Sequence, residues 1–514
     1  MYLKNINFSA RRLWDDHPLW LIVFAALLAR LVAVIFSKGW GMFDDHFLVI
    51  ESSQSWVDGT DYNNWLPSSG RIYPSGHSWL YPGFHYLFFL LLKFINISDP
   101  QTKMFFVRLI HAFFSLIVVI YGYKVTLQIS DKKTARITGL LLALLWFMPF
   151  LSVRNMVEVV CIPFLLYGTW LVIKSQKKPL MNALLSGIIM GLGLSVRFQC
   201  FFFIIGFALA LLLLKKWKES LIYCSGVILS FAIFQGCIDY FFWGYPFAEF
   251  REYVIYNINN AYNYITNPWY NYILLLLGIL LPPVSLMLFF GFFRCWRRQL
   301  LLFLPAFIFL LFHSYFPNKQ ERFILPIVPF IIIAGMIGWN NFIASSRFWT
   351  RHSKLLRNFW IAFWTLNLIL LPIVSTTYSK KARVESMCYL SKYPHIRYLL
   401  AEDTNHGRTE MFPLFYLGQW DVSVYELKPE KPVKPFIKFL KEAGPGSEPR
   451  FVLFFGVENL DKRIDSVRMC LPHLEYETTI EPGFIDNILY RINPRNSNQT
   501  MVIYRNKDYF PVKM

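Results

Sequence analysis

The sequence predicts an α-helical polytopic membrane protein with about 11 transmembrane helices, followed by a C-terminal soluble α/β domain. Three observations carry that expectation. Hydrophobic residues make up 55% of the 514-residue chain and aromatic residues 19%, more apolar surface than a soluble fold of this length could cover. Apolar runs close to the roughly 20 residues needed to cross a bilayer recur as far as residue 375. From 376 hydropathy falls, and a charged helical stretch at 435–443 alternates with short β-like runs at 422–427, 451–456 and 501–505. The expected domains are a membrane domain over 1–375 and a soluble domain over 376–514.

The candidate spans lie near 18–36, 104–128, 134–151, 156–173, 182–196, 198–214, 221–242, 270–292, 300–316, 323–342 and 358–375. The first has no small-residue cleavage pattern, so it reads as a retained helix rather than a removed signal peptide. A twelfth apolar stretch, 79–95, is short and interrupted by Pro82, Gly83 and His85. Charge parity decides how it is read. If it does not cross, the N-terminus and the loops near 129–136, 174–181, 215–220, 294–299 and 344–358 share one face. They gather nineteen basic residues, Lys4 and Arg11 among them, against four acidic ones. That face is then cytoplasmic by the positive-inside rule, and 79–95 is an amphipathic or re-entrant segment on the outer surface.

The net charge of +19 is dispersed in these short clusters rather than gathered on one soluble face, which excludes a nucleic-acid partner. The seven cysteines show no metal-site or disulfide spacing. Only Cys388 and Cys470 share the polar tail, and nothing in the sequence fixes the distance between them.

The outer loops carry the residues equipped for chemistry. Asp44 and Asp45 stand side by side just beyond the first span, where a carboxylate pair is either solvated, a helix cap, or a general base. Arg71, Tyr73 and His77 follow in the same loop. Arg154 and Asn155 lie between the third and fourth spans, and Arg197 and Gln199 in the junction of the fifth and sixth. Asp239 precedes an aromatic cluster, and Trp269 ends an asparagine-rich loop. Lys319 and Arg322, flanking Gln320 and Glu321, violate the inside bias that the other clusters obey. Such cations point to an anionic partner such as a lipid phosphate, or to pairing with Glu321 or Asp239, or to snorkelling toward headgroups.

The acidic pair, IDYFFWG at 238–244, PWYNY at 268–272 and HSYFPNKQERFILPIVP at 313–329 together resemble the glycosyltransferase family 22 mannosyltransferases, over most of residues 15–340. The resemblance implies the GT-C membrane fold, with the outer loop 37–103 contributing the catalytic residues, and transfer of mannose from a dolichyl- or polyprenyl-phosphate carrier to a glycolipid or lipid-linked glycan acceptor. It also implies that Asp44 is the catalytic base, with Asp45 in the position of the family's Glu. The family's His-Lys-Glu-x-Arg-Phe motif falls on residues 318–323, where Lys319, Arg322 and Phe323 agree while Asn318 and Gln320 replace His and Glu. The expected substrate-binding set is Lys319, Arg322, Arg154, Arg197, His77, Asp239, Trp269 and Gln320, with no metal and no cofactor.

The alternatives are a GT-C transferase moving another sugar to lipid A, a polysaccharide or protein, and a lipid or polysaccharide flippase. The expected location is a bacterial inner membrane with the site facing the periplasm, the alternative being the ER membrane with a lumenal site.

Overall fold

The computed structural model describes residues 12–67, 70, 73–174, 177–406, 411–431, 433–443, 446–493 and 498–508. Lys4, Arg11 and Arg71 lie outside them. The chain divides into two compact units. One comprises Met1–Ile35, Trp65–Phe84 and Phe105–Thr376, and the other Phe36–Asn64, His85–Met104 and Thr377–Met514.

The first unit is a helical bundle. Among the described residues six helices are long and apolar enough to cross a membrane: Pro18–Phe36, Pro100–Ile129, Pro179–Val196, Trp217–Trp243, Glu321–Ser345 and Ser353–Ser375. Shorter apolar helices accompany them, Leu80–Phe94 in the ambiguous run included. Two of the expected spans are not single helices. The run 134–151 breaks between Lys132–Leu144 and Met148–Ser152, ahead of Pro149. The run 270–292 breaks between Asn271–Ile279 and Val284–Arg294 at the cis Pro282–Pro283 bond, where neither proline has an N–H to give. Broken backbone at membrane depth must find other partners. Asn367 supplies them at the first break, its Oδ1 accepting from the Trp146 amide at 2.8 Å and its Nδ2 donating to the Leu144 carbonyl at 2.8 Å. At the second break, Trp146 Nε1 donates to the Ile279 carbonyl at 2.9 Å.

Helix Val328–Ser345 is the centre of this bundle, with Val328 through Trp339 all buried. It meets Val284–Arg294 backbone to backbone. A Cβ on Gly291 would lie 1.9 Å from the Gly335 carbonyl oxygen, and one on Gly338 2.0 Å from that of Gly291. Small residues permit this approach, and dispersion holds it in the absence of a hydrophobic drive between helices in lipid. Gly291→Val is therefore expected to lower stability by about 3 kcal/mol, read from unfolding in detergent. Gly278→Ala, in a helix with open space at that position, should leave stability unchanged or raise it.

The second unit is built on five strands: β1 (Tyr398–Glu402), β2 (Ser423–Leu427), β3 (Phe451–Phe455), β4 (Leu474–Ile480) and β5 (Met501–Asn506). Their order is β2-β1-β3-β5-β4, with β1, β2 and β3 parallel and β5 antiparallel to both β3 and β4. The expected runs at 422–427, 451–456 and 501–505 are β2, β3 and β5, and the charged helix is Val433–Ala443. Buried Val452, Phe454, Ile464, Val467 and Val502 form the core of the sheet. Buried Glu402 at the end of β1 pairs with Arg463, whose Nη1 and Nη2 also donate to the Gly456 and Glu402 carbonyls. Cys388 and Cys470 are free thiols.

Candidate functional site

In the sheet-containing unit, the acidic pair opens a helix of unusual pitch. Asp44 has helical dihedrals (φ −58°, ψ −43°) and caps a π-helical segment, Asp45–Glu51. Segments of this wide-turn type occur frequently at functional sites because they turn side chains out of ordinary register. Asp44 is half-buried and Asp45 buried. The segment is fixed at both ends. His46 stacks between Trp40, at 4.7 Å, and Tyr416, at 5.6 Å. Its Nε2 lies 3.3 Å from Glu51 Oε1, which also accepts the Phe415 amide at 3.1 Å. The carboxylates thus stand on a rigidly packed turn.

In the helical unit, three sequence-distant segments place charges together. Arg197 is the extended residue between helix Pro179–Val196 and the turn Phe198–Cys200. Arg322 lies in the 3-10 turn Glu321–Ile327, and Glu158 in the one-turn helix Val157–Val160. Glu158 is wholly buried, with Oε1 2.9 Å from Arg197 Nη2 and 3.4 Å from Arg322 Nε. Each guanidinium is steadied by a glutamine two residues away, Gln199 Oε1 accepting from Arg197 Nε at 3.3 Å and Gln320 Oε1 from Arg322 Nε at 2.9 Å. Both also sit near the Phe323 ring, at 5.4 Å and 5.6 Å.

Lys319 lies three residues before Arg322, in the loop that leads into the same 3-10 turn, and it too is buried. The loop that carries it is pinned down by three contacts. Asn318 bridges to Thr266, the Lys319 amide donates to the Ile265 carbonyl at 3.1 Å, and Tyr272 donates to the Gln320 carbonyl at 3.0 Å. Burial pushes the Lys319 ammonium below its ordinary pKa. Arg197, Arg322 and Lys319 against Glu158 give three positive charges and one negative, a formal surplus of two. Of the expected cations, Arg154 is buried with its guanidinium 4.5 Å from the Phe150 ring.

His77 and Asp239 meet elsewhere in this unit, around Glu249. The buried Glu249 carboxylate accepts five hydrogen bonds, from Ser75 Oγ (2.9 Å), the Gly76 and His77 amides (2.6 and 3.2 Å), Trp79 Nε1 (3.1 Å) and Trp243 Nε1 (2.9 Å). Its own amide donates to Asp239 Oδ2 at 3.0 Å, and Gln235 Nε2 holds Oδ1 at 2.8 Å. Burial raises the Glu249 pKa despite these donors. Glu249→Gln places an amide NH2 against indole or backbone donors, so a loss of about 1–3 kcal/mol is expected, measured as a lower unfolding temperature in detergent. Trp269 is not drawn into either cluster: it is 65% exposed and meets the Tyr270 ring.

Glu158 and Glu249 are absent from the expected site. For Glu158 a signal existed, because an acid inside the apolar run 156–173 implies a buried cationic partner. Among the described residues, no group of three or more His, Cys, Asp and Glu side chains is arranged to hold a metal ion.

The architecture recurs in solved structures. ArnT from Cupriavidus metallidurans, bound to undecaprenyl phosphate, superposes with a TM-score of 0.59 at 12% identity, covering 96% of this chain and 99% of its own. The Archaeoglobus fulgidus oligosaccharyltransferase AglB, in complex with an inhibitory peptide and a dolichol-phosphate, gives a TM-score of 0.50 at 10% identity over 97% of this chain and 75% of its own. With its apolar helices, this chain is a multi-pass membrane protein of GT-C-like fold. It belongs to the Alg9-like mannosyltransferase family, whose sequence model matches residues 20–409. The Mus musculus protein named alpha-1,2-mannosyltransferase ALG9 is 22% identical over 418 residues, 72% of this chain. The chain spans 62% of that relative's length.

Proposed function

We propose that this protein is an inverting glycosyltransferase. It moves a sugar, mannose by its family, from a polyprenyl-phosphate carrier to a glycolipid or lipid-linked glycan at the extracytoplasmic face of the membrane. The observation that carries the reading is the cluster of half-buried Arg197 with buried Arg322 and Lys319, and its surplus of positive charge. Asp44 accepts the proton of the acceptor hydroxyl as its oxygen attacks the anomeric carbon. The bond from that carbon to the phosphate oxygen breaks, its electron pair leaves on the phosphate, and the configuration inverts. The phosphate passes from one negative charge in the donor diester toward two in the lipid monophosphate. A site carrying a surplus of two positive charges matches the later state better than the earlier one, which is how fixed charge lowers a barrier. The family assignment supports mannose.

Gln320 favours a second reading, transfer of a different sugar. At the position of the family's Glu it is a neutral amide whose oxygen is used on Arg322. The test incubates purified protein with polyprenyl-phosphate mannose, or another polyprenyl-phosphate sugar, and a panel of lipid-linked acceptors, comparing wild type with Asp44→Asn and Lys319→Ala. Mannose transfer by wild type and its loss in Asp44→Asn is the expected result. Equal transfer by all three proteins overturns the mechanism, and transfer from the other donor alone selects the second reading.

A further inference from the structure

We infer that Glu158 is a resident counter-ion of the cation cluster, a positioning residue that pairs with Arg197 and Arg322 while the site is empty and yields them to the arriving lipid phosphate. The inference rests on reading the cluster as a phosphate site and adds a part for a residue outside the expected machinery. Its basis is the contrast between two buried carboxylates of the same unit. Glu249 is saturated by five aligned donors and has the character of a structural anchor. Glu158 is wholly buried and within ion-pair distance of two guanidiniums, yet among the described residues neither of its oxygens accepts an aligned hydrogen bond. It is held by charge rather than by directed bonds, and charge can be satisfied by another anion.

Two guanidiniums largely withdrawn from solvent, Arg322 buried and Arg197 half-buried, need a counter-charge when no phosphate is present, because isolated ions are costly away from water. Their orientation does not depend on Glu158 alone. Gln199 and Gln320 hold the Nε atoms, and Phe323 lies beside both planes. When Glu158 is replaced by a neutral amide, the arginines keep these supports and lose only the internal competitor. A site that its own carboxylate occupies nine-tenths of the time binds an external anion about tenfold more weakly than the same site left open.

The test measures binding of undecaprenyl phosphate to the full-length protein in detergent, by titration and by ligand-induced thermal shift, for wild type, Glu158→Gln and Glu158→Asp. Polyprenol lacking the phosphate serves as the control. Expected is an unliganded Glu158→Gln protein that melts below wild type, binds undecaprenyl phosphate about tenfold more tightly, and shows the larger thermal shift. Glu158→Asp keeps the charge on a side chain too short to serve both arginines, so its affinity should fall between the two. Affinity in Glu158→Gln equal to or weaker than wild type overturns the inference, as does an equal gain for phosphate-free polyprenol. Where Glu158→Gln does not fold, Glu158→Asp decides: tighter binding than wild type supports the inference and unchanged or weaker binding overturns it. A wild-type protein that shows no binding of undecaprenyl phosphate would instead sink the phosphate-site reading itself.

Discussion

Asp44→Asn lowers sugar transfer by about 10³-fold while leaving affinity for the polyprenyl-phosphate donor unchanged, the effect expected when a positioned general base is removed. The substitution keeps the side chain's size and one acceptor oxygen, and takes away the negative charge and with it the ability to accept a proton. The turn that carries it is secured by the Trp40, His46 and Tyr416 stack and by Glu51, none of which depends on the Asp44 charge. Fold and donor binding should therefore survive. Single-turnover transfer beside equilibrium binding of donor separates the two effects. Should Asp44→Asn retain transfer and Asp45→Asn lose it, the base is Asp45. A parallel loss of donor affinity in Asp44→Asn would mean that this carboxylate organises the donor rather than the proton.

Arg322→Met should cost transfer about 10²- to 10³-fold through lost stabilisation of the departing phosphate. It should also lower stability by roughly 3–5 kcal/mol, because a buried carboxylate loses one of its partners. The aliphatic stem preserves packing against Phe323, so the loss reports charge. The pair Arg322→Met with Glu158→Gln should recover much of the stability without recovering activity, since the stranded carboxylate is then absent. A double-mutant cycle on unfolding in detergent measures that recovery. Additive losses would mean that the 3.4 Å contact between Glu158 and Arg322 contributes nothing.

Much of the fold was legible because a bilayer demands long apolar runs, and six of these are helices of spanning length. The interruptions were less so. Pro282 and Pro283 stand in plain view, but a mean over a window averages them into their apolar neighbours. In the soluble part, β2, β3 and β5 declared themselves as short apolar or alternating runs. β4 did not: LEYETTI is mostly polar and largely exposed at the edge of the sheet. β1 is only five residues long and its register comes from β2 and β3 on either side.

The candidate site was legible residue by residue and illegible as a constellation. Arg197, Gln320 and Arg322 were expected, and the fold gathers them. Glu158, which joins the two arginines, is separated from them by 39 and 164 positions, and no local spacing encodes that meeting. His77 and Asp239 were expected to touch substrate, and in the structure both are engaged by Glu249. The π-helical turn after Asp44 has no sequence signature at all.

The manner in which Glu249 grips the loop before it bears on how that loop can drift. At His77 it takes the main-chain amide, a group every residue except proline provides. The His77 ring has contacts of its own, with the Ser75 carbonyl at 3.1 Å and edge-on with Trp65, but the bond that Glu249 makes here does not depend on which side chain position 77 carries. Position 249 has no such latitude, because one acid serves five donors and no other side chain of that reach brings four lone pairs. Constraint on the loop's path is therefore heaviest at a single residue that lies outside it.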